Sequence, residues 1–251
     1  VNMSIREIPI FVINLEKRTD RKTHMIDMLK KMNIYDYTFV IPVSKENAKT
    51  STLVNSQSTA SKKSHQVTNI KILEEALNRE HPYVAIMEDD IEPETSNAVE
   101  DINKSLSELI EIDKDFDILS LQTCLQWCMC SSKKTTNVYK SYDPLCGGFR
   151  IYSRNGVFKV LKHIYDGGLK REKALDIFIA KLSKHRHIRH YHADLYRQKG
   201  EIFKGDMLGS VAYNKYVVVD RCRETSLKYC LYFVILFVVL FVCWKFLKKS
   251  R

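Results

Sequence analysis

Tyr83-Val84-Ala85-Ile86-Met87-Glu88-Asp89-Asp90-Ile91 is a short apolar run that ends in three consecutive carboxylates. The run follows His81-Pro82, has no helical period, and reads as a buried β-strand. Three adjacent negative charges repel one another unless solvent or a cation offsets them. Hard oxygen donors in such a cluster suit Mg²⁺ or Mn²⁺. In an α/β sheet, ligands bind outside the carboxyl ends of strands. Taken alone, the triplet fits a metal and phosphate site or a solvated acidic turn equally well.

Outward from this strand, strands and helices alternate. Upstream, Ile8 to Leu15 is a nearly continuous apolar strand, and a helix from about Thr19 carries Met25, Met28, Leu29 and Met32 at helical spacing. Phe39 to Val43 reads as a second strand and Ser44 to Lys63 as a long polar loop. Ser64 opens a helix whose inner face is Ile72, Leu73, Ala76 and Leu77. Downstream, Val99 to Ile110 reads as a helix, and Asp117 to Leu121, Val138 to Tyr142 and Phe149 to Tyr152 as strands. Asn155 to Ile164 and Glu172 to Leu182 read as helices, and Val217 to Val219 as a short last strand. The expected class is α/β with a mainly parallel sheet.

The chain has 251 residues and a formal net charge of +10. That charge suits an acidic partner: a phosphate-bearing ligand, a membrane surface or nucleic acid. The basic residues are dispersed, which argues against a nucleic-acid arm, and no nucleic-acid partner is expected. Tyr229 to Trp244 is uninterrupted apolar sequence, extended past Lys245 by Phe246-Leu247 and flanked by basic residues. A membrane span needs roughly 20 such residues. We therefore divide the chain into a folded domain over 1–222, a juxtamembrane segment over 223–228, a single transmembrane anchor over 229–247 and a basic tail over 248–251. The closing Lys248-Lys249-Ser250-Arg251 resembles a dilysine retrieval signal, which points to the endoplasmic reticulum or a related endomembrane. The side on which the domain lies stays open. Cysteines 124, 128, 130 and 146 are available for one or two disulfides in a lumenal setting.

The segment Asn14-Leu15-Glu16-Lys17-Arg18-Thr19-Asp20-Arg21 closes the first strand and opens the first helix. A helix start favours anions, and Arg18 and Arg21 add two guanidinium forks suited to phosphate. With Ser64-His65, Ile86-Met87-Glu88-Asp89-Asp90 and Asp117-Ile118-Leu119 following in order, the chain resembles glycosyltransferase family 25. That family includes lipooligosaccharide and collagen-type galactosyltransferases. The resemblance implies a GT-A-like, Rossmann-type nucleotide-sugar-binding domain and an inverting transfer. The expected donor is a UDP-sugar, with galactose or glucose leading, and the acceptor a glycan, glycolipid or glycoprotein. It places Asn14, Arg18, Arg21, Ser64, His65, Glu88 and Asp89 around the donor. Asp90 becomes the first metal ligand, with Glu88 beside it and His192 as a third.

An inverting transfer needs a base, and Asp176, ahead of Ile177 to Ile179, is the candidate; the same acid also suits an ordinary helix start. The dense cluster His185, His187, His190 and His192 is otherwise read as surface. Two rival readings use the same residues. One is a metal-dependent phosphotransferase or nuclease, which lacks a second acidic cluster in this sequence. The other is a degenerate, membrane-tethered binding protein, suggested by the irregular Thr59 to Lys63.

Overall fold

The computed structural model describes residues 3–122, 131–141 and 144–198, together with the single position Phe237. Among the described residues there are ten strands and six α-helices: β1 (Ile10–Ile13), α1 (Thr19–Lys31), β2 (Tyr37–Val40), α2 (Lys45–Lys49), α3 (Ala60–Asn78), β3 (Tyr83–Glu88), β4 (Ile91–Pro93), α4 (Ala98–Ile112), β5 (Ile118–Ser120), β6 (Ser131–Lys133), β7 (Tyr139–Ser141), β8 (Phe149–Ser153), α5 (Arg154–Tyr165), α6 (Leu175–Lys184), β9 (His190–His192) and β10 (Tyr196–Gln198).

Eight strands form one sheet in the order β2-β1-β3-β8-β5-β9-β7-β6, and β4 pairs with β10 in a small separate ribbon. The left of the sheet is parallel: β1 lies between β2 and β3 with all three running the same way. β8 is then wedged antiparallel between β3 and β5. Because β5 opposes β8, it runs with β3, and β9 runs parallel to β5. The sheet is mixed rather than mainly parallel, yet β1, β3, β5 and β9 all end at the same edge.

Alternation along each strand divides the core in two. Ile10, Val12, Ala85, Met87, Leu119, Phe149 and Ile151 pack with Met25 and Leu29 of α1 and Ile102, Leu106 and Leu109 of α4. Phe11, Ile13, Val84, Ile86, Ile118 and Tyr152 pack with α3, α5 and α6 on the other face. Helices on both faces explain why β1 and β3 lack polar alternation.

Three expectations need correction. The polar stretch after β2 holds the short helix α2, and α3 begins at Ala60, capped by Thr59, whose hydroxyl accepts from the Lys62 amide. Ser64 is one turn inside that helix and donates to the Val43 carbonyl at 2.5 Å. His190 and His192, read as surface, form a fully buried strand. The expected anchor over 229–247 and the expected strand Val217 to Val219 lie outside the described residues, apart from Phe237. Among the described residues, no helix is long and apolar enough to cross a membrane.

Candidate active site

The acidic triplet sits where β3 turns into β4, at the common carboxyl edge of β1, β3, β5 and β9. Pleat alternation sends its acids to different sides. Asp89 points toward α1 and is buried. Its two oxygens accept from Asn14 Nδ2 at 2.7 Å and Arg21 Nη1 at 2.8 Å. Asn14 closes β1, and its side-chain amide also donates to the Arg18 carbonyl at 3.2 Å. The Asn-Leu-x-x-Arg-x-Asp-Arg segment therefore clamps the central acid. Arg21 also lies 3.7 Å from Asp90, and Arg18 makes a fork onto Asp20 at 2.9 and 2.8 Å. His24 of α1 holds the far side of the turn through the Ile91 carbonyl at 3.0 Å.

Glu88 faces α3 instead. Its Oε1 lies 3.1 Å from His65 Nε2, and each side chain remains 31% exposed. Burial alone disfavours the His65 cation, but the hydrogen bond and charge of Glu88, with Asp176 behind them, outweigh it and raise His65 above its ordinary value. Burial likewise opposes the Glu88 anion. The His65 hydrogen bond and charge, then Arg150 and Arg21, hold Glu88 below the usual carboxylate range. Both shifts favour the charged forms of the two partners, in a contact that keeps about a third of each side chain exposed. Asn69, one turn on, donates to the His65 carbonyl at 2.9 Å and fixes the helix there.

Asp176 lies in the first turn of α6, where its Oδ1 accepts from the Ile177 amide at 2.9 Å. Its charge acts on His65. The charge of Asp176, distant in sequence, thus acts at the His65–Glu88 pair.

His192 is elsewhere in the sheet. It is 3% exposed, with Nδ1 2.5 Å from Ser141 Oγ and Nε2 3.6 Å from Asp194, and its ring stacks on Tyr139 at 5.2 Å. Among the described residues, no three His, Cys, Asp or Glu side chains converge as a metal cluster. Mg²⁺ and Mn²⁺ are commonly held by one or two carboxylates while substrate phosphates complete the shell, and Glu88 and Asp90 are the candidate carboxylates at this edge.

Arg150 was not singled out in the sequence. It stands in register with Ile86 of β3 and Ser120 of β5, so its side chain shares their face. The loop before β8 is tied to the triplet: the Glu88 amide donates to the Gly148 carbonyl at 2.7 Å, and the Gly148 amide donates to Gln122 Oε1 at 2.8 Å. The adjacent Gly147-Gly148 was the available signal that backbone and side chains crowd here.

Among solved structures, the chain is similar to A197 from STIV (15% identity, TM-score 0.42, covering 76% of this chain and 83% of that one). It is also similar to a glycosyltransferase involved in glycosylation of the major capsid of PBCV-1 (12% identity, TM-score 0.42, covering 74% and 81%). A third similarity is to apo-UDP-glucose pyrophosphorylase (9% identity, TM-score 0.41, covering 78% and 77%). No curated protein matches the sequence. The model of glycosyltransferase family 25 (LPS biosynthesis protein) matches residues 7–146. That stretch is more than half of the chain and carries β1, the clamp and the acidic triplet. The chain belongs to glycosyltransferase family 25, and is a glycosyltransferase.

Proposed function

We propose that this protein transfers a hexose, galactose or glucose, from a UDP-sugar to a hydroxyl of a glycan, glycolipid or glycoprotein, with inversion and with a divalent metal. The supporting observation is the division of the triplet. Asn14 and Arg21 take up Asp89, while Glu88, paired with His65, and Asp90, 3.7 Å from Arg21, stand at the strand ends where an α/β sheet receives its ligand. Glu88 and Asp90 would hold Mn²⁺ or Mg²⁺ together with the donor phosphates. A bound divalent ion supplies neutralisation of the charge that develops on the leaving diphosphate.

The chain's own residues account for the rest. Asp176 takes the proton of the acceptor hydroxyl as its oxygen bonds to the sugar C1 and the C1–O bond to the diphosphate breaks. The His65–Glu88 pair holds Glu88 ionised and aimed. Asn14 and Arg18 border the nucleotide at the end of β1.

We place the domain on the lumenal side of an endomembrane, anchored by 229–247. Cys146 is disulfide-bonded, and disulfides persist in oxidising compartments. Protection of the domain from protease in intact microsomes tests that topology; digestion without detergent would refute it.

Transfer or hydrolysis of a nucleotide-sugar panel with Mn²⁺ tests the reaction. Asp90→Ala should lower turnover by at least about 100-fold while the circular dichroism spectrum is retained. Wild-type rates from that variant would remove Asp90 from the site. Absence of both hydrolysis and nucleotide binding in the wild type would favour the degenerate binding protein instead.

A further inference from the structure

Arg150 is a guanidinium 4% exposed to solvent. Among the described residues no carboxylate lies within ion-pair distance of it, and its Nε has no hydrogen-bond partner. One Nη donates to the Cys146 carbonyl. A cation shut away from water without a counter-charge is unfavourable unless something else supplies the anion. Glu88 acts on Arg150 through space but is already paired with His65 at 3.1 Å; Ser120 is joined to His190 at 2.8 Å, and His190 is held neutral by burial, then by the charge of Arg150 itself.

The guanidinium reaches the ligand edge of the sheet. A methyl group placed on Gly147 would lie 2.1 Å from Arg150 Cζ, so the planar head lies against the backbone of the loop leading into β8. That loop is bonded to Glu88 through Gly148. On its other side is Cys146, in the left-handed region at φ 63°, with the carbonyl that receives the Arg150 Nη. The loop thus backs a positive group near Glu88, and Glu88 feels its charge.

We propose that Arg150 is a second, protein-borne cation of the donor site, which binds a phosphoryl oxyanion of the donor diphosphate independently of any metal. The assignment rests on the donor reading above. Its consequence is diphosphate affinity that survives removal of divalent ions.

Calorimetry on the full chain in excess chelator, with UDP, inorganic pyrophosphate and uridine as probes, tests it. Wild type should bind UDP and pyrophosphate. Arg150→Met should weaken both by about tenfold or more and leave uridine unchanged, and Arg150→Lys should fall between. Gly147→Ala keeps the arginine but displaces its head, and should weaken the two phosphorylated probes in the same way. If Arg150→Met does not fold, the Lys and Gly147→Ala proteins decide. UDP and pyrophosphate binding that is unchanged across the folded variants, or absent from wild type, overturns the proposal. Arg150-dependent pyrophosphate binding with no nucleotide binding would keep the anion site and refute the donor reading. Nucleotide binding indifferent to Arg150 would do the reverse.

Discussion

Asp89 accepts from Asn14 and Arg21 in a pocket where its side chain is 9% exposed and that of Arg21 6%, so this acid joins β1, α1 and β3. Asp89→Ala would leave Arg21 buried against less negative charge, and should cost about 3–5 kcal/mol. Urea denaturation followed by circular dichroism measures it, and a loss below about 1 kcal/mol would show that the clamp is not structural. The sequence displayed the whole clamp, since Asn14, Arg18, Arg21 and the triplet are conspicuous polar residues around apolar strands. It did not show that the central acid is the one taken inward, because three consecutive carboxylates look alike until pleat and turn assign them to faces. Arg150 was illegible for a related reason. Between Phe149 and Ile151 it reads as one polar tooth of an ordinary strand, and only the β3 and β5 neighbours reveal that its face is buried.

Elements were legible where a clear period or apolar run marked them. The period of α1 and the apolar run of β3 gave both almost to the residue, as did Arg154 to Tyr165, whose start carries its own cap: Ser153 Oγ accepts from the Gly156 amide at 3.0 Å. Three-residue strands such as β4, β9 and β10 give too few positions for alternation to register, and β9 was hidden among histidines. The start of α3 was misplaced because Thr59 and Ser64 are both good caps, and the Val43 carbonyl engages the latter. The α5 start also fixes how closely that helix approaches the sheet. A methyl group on Gly156 would lie 2.0 Å from the Asp117 carbonyl oxygen, an oxygen that already accepts from the Ser153 amide at 3.1 Å. Gly156→Ala should therefore push α5 outward and cost about 1–3 kcal/mol by overpacking, despite the better helix propensity of alanine. A thermal melt that rises or stays level would contradict the close contact.

Across the whole molecule, the pH response follows from histidines held in opposite states. His190 and His192 are buried, and burial lowers both below their ordinary value, with the charges of Arg150 and His192 adding to the effect at His190. The unfolded chain therefore takes up protons near pH 6.5 that the folded one refuses, so stability rises with pH below that point and falls on acidification. The slope is about 1.4 kcal/mol per pH unit for each group. His65 acts in the other sense: raised by Glu88, its contribution is complete below its unfolded value and is lost as pH climbs through its folded one. His163, lowered by burial and by the charge of His187, acts in the same sense as the strand histidines, so the urea midpoint should drop between pH 7 and 5.5; a level or rising midpoint would mean that the strand histidines protonate in place. Fold class was legible at this scale from alternating strands and helices. Strand order was not, because periodicity records what each segment buries and nothing about which segments become neighbours.

The wedge position of β8 also sets a chronology. During synthesis β2, β1 and β3 can pair once Glu88 has emerged from the ribosome, but β3 and β5 have no partner on their facing edges until Phe149 to Ser153 emerges to bridge them. Throughout that interval the nascent chain carries open strand edges, one of which ends in the acidic triplet. Unpaired edges invite association between chains, and charge at an edge discourages it. The charge of Glu88, Asp89 and Asp90 at that edge therefore counts against such association while the sheet is half built.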